Sequence, residues 1–486
     1  MSALAKNSAL QIGGKLFGTI FGLATFYLLL NYFGTEGYGL LTTAMTHVAI
    51  FGVIVDFGLT LTTTQMISER GADEEKILGN LLTLRVISAL AFMAIAPITA
   101  IFIPGVREVV LLVCIATGSS FFASVGSTYI GVFQKRLELA APVMGEMLNR
   151  LIALTWVIVA GTLHLSLFEA SLGFFVGGFV QLAIMLLGTA RYVKLRPRMQ
   201  WHVWREVLVR SWPIGISIFF NLLYLKGDIL FMAVLLDPAR RFIEIGQYGS
   251  AYKVVDVMTM IPVTFMGLIL PILTLAWSEK NREKFDRNLQ HTFDIFALIA
   301  IPFAVGAIML GVPVMTAVKP DLILAGQVLA VLGPAAAVVF FNSLYGHAVV
   351  AVKKQKIMVL AYLFVAAVAI TGYVLYIPVY GAWAAAWVTL FSESLIGLFA
   401  FIVVSKATKR LPNLKMTARA IVSTAAMAGI IGLIMSQVGE FDNPLLTAAT
   451  VFAGIVVYVL AVMALGGPRP KAIAKLFLPE NPSSGM

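Results

Sequence analysis

The sequence predicts an all-α polytopic membrane protein of about 14 transmembrane helices, in two parallel blocks of six followed by a further pair. Three observations predict it. Of 486 residues, 60% are hydrophobic and 12% charged, with a mean hydropathy of +0.93. Soluble domains hold about 45–50% apolar and about 25% charged residues. Apolar runs of about 20 residues, enough for a helix to cross a bilayer, recur along the whole chain. The basic residues between those runs alternate in density from one loop to the next.

The runs lie at residues 10–32, 40–65, 81–103, 109–133, 142–163, 168–190, 211–236, 247–276, 291–316, 323–350, 357–377, 380–404, 418–437 and 444–465. Pro262 and Pro271 suggest a kink in the eighth. With this count, loops on the side of the N-terminus carry 25 Lys and Arg. Those on the other side carry only Arg107, Arg240, Arg241 and Lys319. A miscounted span would mix the two sets, so the asymmetry predicts 14 spans with both termini cytoplasmic, as in a bacterial inner membrane. The net charge of +11 is then mainly a topology signal. Nucleic acid is excluded as a partner, because that role needs a basic soluble domain. The start, "MSALAKNSALQIGGK", lacks a cleavage site after a short apolar core and reads as the lead into an uncleaved first span. Cys114 is the only cysteine, which excludes an internal disulfide.

The chain divides at "RYVKLRPRMQWHVWREVLVR", residues 191–210. Trp201, Trp204 and Leu208 recur at helical spacing among basic residues, which suits an amphipathic helix on the cytoplasmic leaflet. The expected organisation is a six-helix lobe over 1–190, this linker, a second six-helix lobe over 211–404, and a helix pair with a cytoplasmic tail over 405–486. Six spans per block give both the same orientation, so an internal repeat is parallel. "EGYGLLTTAMT" from Glu36 and "GQYGSAYKVVD" from Gly246 align Tyr38 with Tyr248 and Gly39 with Gly249. The simplest reading of each Gly-Tyr-Gly is a turn beside an interfacial tyrosine.

Eleven ionisable residues fall well inside the runs: Lys15, Arg85, Arg150, Lys226, Lys253, Asp56, Glu146, Asp228, Asp256, Asp294 and Glu393, with Glu169 near an outer edge. A charge at mid-bilayer costs about 2.5–3.5 kcal/mol, so 11 facing lipid would cost roughly 30 kcal/mol. Most must therefore face one another or a polar cavity. Glu146 and Arg150, at i, i+4, suit mutual neutralisation, and Lys253 and Asp256, at i, i+3, can do likewise. Lys15, Arg85 and Asp294 lie close enough to the cytoplasmic face to snorkel. Asp56, Asp228 and Glu393 sit deeper, with no partner on their own helices. Lys15, Arg85, Lys226 and Lys253 are thus the candidate cavity cations for an anionic substrate. Asp56, Asp228, Asp256, Asp294 and Glu393 are the candidate cavity acids for ion coupling.

Other chemistry is sparse. His47, His164, His202, His291 and His347 show no ligand spacing, and there is no nucleotide loop or nucleophile motif. The expectation is a non-enzyme without a metal or cofactor, driven by a gradient of protons or sodium. Gly14, Gly18 and Gly22 share one face of the first span, which suits tight helix packing.

The segments "KNSALQIGGKLFG", "FGTEGYGLL" and "VDFGLTLTTTQMIS", with "SWPIGISIFFNLLYLKGDIL" and "IGQYGSAYKVVDVMTMIPVTFMGLILPIL", resemble the polysaccharide-export flippases. This family, which includes O-antigen flippases, belongs to the multidrug/oligosaccharidyl-lipid/polysaccharide exporter superfamily. The resemblance runs to about residue 404. It implies two six-helix lobes around a central cavity, with the last helix pair outside. It also implies movement of an oligosaccharide on undecaprenyl pyrophosphate from the cytoplasmic to the outer leaflet by alternating access. The partners it implies are the lipid-linked substrate, membrane lipids, a polysaccharide polymerase and glycosyltransferases. Rival expectations are a lipid II flippase and a drug/cation antiporter of the same superfamily. A membrane glycosyltransferase or polymerase is disfavoured by the short outer loops.

Overall fold

Backbone polar groups inside a bilayer must be satisfied within the protein, and a helix does this segment by segment. Accordingly, every regular element among the described residues is helical. The computed structural model describes residues 3–69, 72–136, 138–194, 196–438, 441 and 443–466. The expected tail beyond 466 lies outside them.

The first half contains α1 (Ala3–Asp56), α2 (Leu59–Ser68), α3 (Glu74–Phe102), α4 (Val110–Ser127), α5 (Ile130–Arg136), α6 (Ala140–Thr162), α7 (Leu167–Thr189) and α8 (Trp201–Leu235). The second half contains α9 (Arg241–Ser278), α10 (Arg282–Val318), α11 (Ile323–Ala351), α12 (Gln355–Tyr380), α13 (Ala382–Thr408), α14 (Lys415–Val438) and α15 (Pro444–Ala464). Among the described residues, 12 stretches are long and apolar enough to cross a membrane. One of them, Gly13–Asp56, has 44 residues, about 66 Å of helix and twice a bilayer core. Gly34, at φ 71° and ψ 179°, breaks it into two crossings. With α8 as the seventh crossing, each of the 14 predicted runs falls on helix.

Three local features depart from the sequence reading. The second predicted span is interrupted at Phe57 (φ 36°) and Gly58 (φ 78°), between α1 and α2. The fourth is interrupted at Thr128–Tyr129, between α4 and α5. The amphipathic helix expected within 191–210 is not a separate element. Residues 196–200 are irregular, and 201–210 are the first turns of the 35-residue α8. Its packed side is Val203 and Val207, which join Leu59, Met66 and Leu81. Trp201 and Leu208 of the predicted stripe are exposed. α9 continues as one helix through Pro262 and Pro271.

The chain packs as two compact units, Met1–Gly246 and Gln247–Met486. In the first, α1 packs on α3, α4, α6 and α8, and α7 on α4 and α6. Arg150 of α6 lies across the glycine face of the first span, where a Cβ on Gly18 would meet its Nε at 2.9 Å. Arg150 also donates to Glu146 at 3.0 Å, so that pair neutralises itself on one helix. In the second unit, α11 packs on α10 and α13, and α12 on α13. The last pair, α14 and α15, leans on α10 through Leu298, Ala420 and Val462.

Both tyrosines of the repeat pack on residues of their own units. Tyr248 is fully buried, with its hydroxyl 3.3 Å from Thr389 Oγ1. Tyr38 packs edge-on against Phe26 beside Leu29, Leu41 and Val157.

Candidate functional site

The two helix interruptions of the first unit meet at one polar cluster. Asp56 is the last residue of α1, so its carboxylate stands where the helix stops. Its Oδ1 accepts from Arg85 Nη1 at 2.7 Å and from the hydroxyl of Thr60, the second residue of α2. Arg85 Nη2 donates to Thr60 Oγ1 at 3.0 Å. Thr60 Oγ1 in turn lies 3.4 Å from Ser127 Oγ, at the end of α4. Irregular backbone at membrane depth is tolerated where polar groups or a cavity satisfy it, and here it coincides with the buried charge.

Arg85 is 2% exposed and Asp56 33%. Along α3, Arg85 lies one turn from Leu81 on one side and one turn from Ala89 on the other. Leu81 belongs to the apolar cluster with Leu59 and Val203, and Ala89 to that with Val55 and Met93. In such surroundings the attraction within the pair is strong, and so is the cost of leaving either charge alone. Arg85 therefore does not snorkel to the surface, and Asp56 has its partner on another helix.

A second polar centre lies in the second unit. Glu393 of α13 is buried, and Asn342 Nδ2 of α11 donates to its Oε2 at 2.6 Å and to its main-chain oxygen at 2.8 Å. Among the described residues, Glu393 has no ion-pair partner, and Glu393 Oε1 and Asn342 Oδ1 are buried without a hydrogen bond. Two acceptor oxygens of this linked pair are thus buried without a donor.

The other predicted residues are more scattered. Asp228 is fully buried on α8 and accepts from the Ile229 amide at 2.7 Å. Asp294 is half-buried and accepts from Gln290 Nε2 at 2.8 Å. Asp256 and Lys15 are exposed, and Lys226 and Lys253 are half-buried. Glu169 is a structural residue. With Ser166 it forms a reciprocal capping box at the start of α7, a role its Ser-x-x-Glu spacing could have revealed. Thr60 and Ser127 were missed, because a hydroxyl in an apolar run usually bonds its own helix backbone. No group of His, Cys, Asp or Glu among the described residues could hold a metal ion.

A family model described as polysaccharide biosynthesis protein matches residues 4–277. A search of curated proteins finds no significant match. Among solved structures, the lipid II flippase MurJ in an inward closed conformation is similar, with TM-score 0.76 and 15% identity over 93% of this chain and 97% of that one. An inward-facing multidrug resistance MATE family transporter of the MOP superfamily gives TM-score 0.65 and 15% identity over 81% and 96%. A MOP superfamily transporter from Pyrococcus furiosus gives 0.58 and 14% over 84% and 96%. At these identities the likeness is one of fold, and the fold is the two-lobed helical fold of these transporters.

Proposed function

Because the chain is a member of the polysaccharide biosynthesis protein family, we propose that it is a flippase for a lipid-linked oligosaccharide. The substrate class is a saccharide repeat unit on undecaprenyl pyrophosphate. It moves from the cytoplasmic to the outer leaflet of a bacterial inner membrane by alternating access, with both termini cytoplasmic. The observation that carries this reading is the Asp56–Arg85–Thr60–Ser127 cluster, a buried charged centre at two helix interruptions in a chain of this fold. Lys15, Lys226 and Lys253 are the candidate cations that a moving pyrophosphate would meet, each exchanging its present contacts for the anion. Arg85 joins them only when its bond to Asp56 opens. The gradient acts on Glu393, whose carboxylate, unlike that of Asp56, faces an amide rather than a guanidinium.

Likeness to the lipid II flippase fold supports a second reading, in which the cargo is a peptidoglycan precursor. One experiment separates the two. The protein is reconstituted in vesicles with either a lipid-linked glycan repeat or lipid II, each labelled on the sugar and scored by protection from an impermeant quencher. Movement of the glycan lipid alone supports the first reading. Movement of lipid II alone supports the second, and movement of neither removes both. In the first case, Lys15, Lys226 and Lys253 all changed to Gln should slow transport roughly 10- to 150-fold per lost charged contact.

A further inference from the structure

We infer that residues 191–194 and 196–205, together with the outer face of the first turns of α8, form a docking surface for anionic phospholipid headgroups of the bilayer. Fixed backbone, unpaired cations and an apolar face occur together there.

The segment is clamped to α3 rather than loose. Arg198 N donates to Gly79 O at 3.1 Å, and Gln200 N to Asn80 Oδ1 at 2.7 Å. Trp204 Nε1 donates to Asn80 O at 3.0 Å. The approach is so close that a Cβ on Gly79 would meet Arg196 O at 2.3 Å, which requires glycine there. Val193 is buried against Ile67, Leu78 and Val132. The charges on this segment are therefore held at one level of α3.

Those charges lack carboxylate partners. Arg191, Lys194, Arg196 and Arg205 are exposed, and among the described residues none of them forms an ion pair. The nearby acids are already engaged. Glu74 holds Lys135 and Arg136, Glu69 and Glu206 hold Arg210, and Glu138 accepts from Tyr192. Glu75 accepts from the main chain of Lys194, and Asp73 caps α3. What remains is a band of four positive charges.

The adjoining helix face is apolar. Trp201, Leu208, Val209 and Trp212 are 71%, 39%, 60% and 53% exposed. They lie opposite Val203, Val207 and Ser211, which are buried. Trp201 and Trp212 stand about 16 Å apart along the helix with Arg205 between them. Tryptophans beside basic residues suit the headgroup region, where an indole meets both hydrocarbon and water. A soluble anion would satisfy the cations but leave this face bare.

The test is native mass spectrometry and thermal melting of the full-length protein in zwitterionic detergent. Phosphatidylglycerol, phosphatidylcholine or inorganic pyrophosphate is added. Phosphatidylglycerol is expected to remain bound and raise the melting temperature, while the other two do neither. Each cation at an anionic surface contributes roughly fivefold in affinity, so R191Q/K194Q/R196Q/R205Q should hold the lipid at least roughly 100-fold more weakly. R191K/R196K/R205K, which keeps the charge, should hold it as the parent does. K353Q/K354Q/K356Q, which removes charge elsewhere, should also leave binding intact. Equal retention by the quadruple Gln variant, equal binding of phosphatidylcholine, or displacement of the lipid by pyrophosphate would each overturn the inference.

Discussion

Arg85 and Asp56, 29 residues apart, are joined by a 2.7 Å charge-assisted hydrogen bond in which the guanidinium is almost wholly enclosed and the carboxylate partly open. The asymmetry matters, because removing the carboxylate strands a cation in an apolar setting. D56N should destabilise the protein by about 3 kcal/mol, the low end for a broken buried pair because a third of Asp56 is exposed. D56N/R85Q should recover more than half of that loss. Melting temperatures of the single and double variants in one detergent check it, and additive losses would mean the two residues are not coupled.

Glu393 is expected to behave differently. Gln keeps the shape of a protonated carboxyl and can still accept from Asn342, so E393Q should melt within about 1 kcal/mol of the parent. Its transport should lose dependence on the imposed proton or sodium gradient. Vesicle assays with and without each gradient decide this, and an unchanged gradient dependence would remove Glu393 from the coupling role.

The clamp on α3 makes a local prediction. N80A removes the acceptor for Gln200 N and the side-chain contact with Gln200 Oε1 at 3.3 Å. A loss of about 1–2 kcal/mol is expected, confined to this region. Hydrogen exchange of amides 196–204 should accelerate while α6, in the same unit, stays protected. Uniform acceleration would show that Asn80 supports the whole unit instead.

Topology is open to direct test. Cys114, the one native cysteine, is first replaced by Ser so that any label reports an introduced thiol. In that background, R196C and R240C place one thiol on each predicted side, and Arg240 is 54% exposed. An impermeant maleimide added outside intact spheroplasts should label the cysteine at 240 and not that at 196. The reverse pattern would invert the orientation.

Composition and run length made the helices legible, because a bilayer demands about 20 apolar residues per crossing whatever the neighbours are. The ion pair was not legible. Asp56 and Arg85 lie on different helices, and sequence spacing reports only partners on the same one. Glu146 and Arg150, at i, i+4, were readable for that reason. The interruption at Phe57–Gly58 carried a faint signal in Gly58, masked by the β-branched and apolar residues that follow it. The stripe of Trp201, Trp204 and Leu208 gave the right period but did not identify the side of the helix that packs on the protein. Val203 and Val207 have neighbours to pack against, and periodicity alone could not reveal them.

The unbroken run of α8 from Trp201 to Leu235 bears on how the chain can be cut. The stretch 191–210 invites a split site or an inserted reporter, since it separates the two blocks of spans. A nick within 201–210 would sever a helix, and one at 196–200 would release strands of backbone seated on Gly79 and Asn80. The turn at Lys280–Asn281 and the coil at 410–414 interrupt no helix. Two-fragment versions that reassemble, or fusions that leave transport intact, should be sought at those junctions.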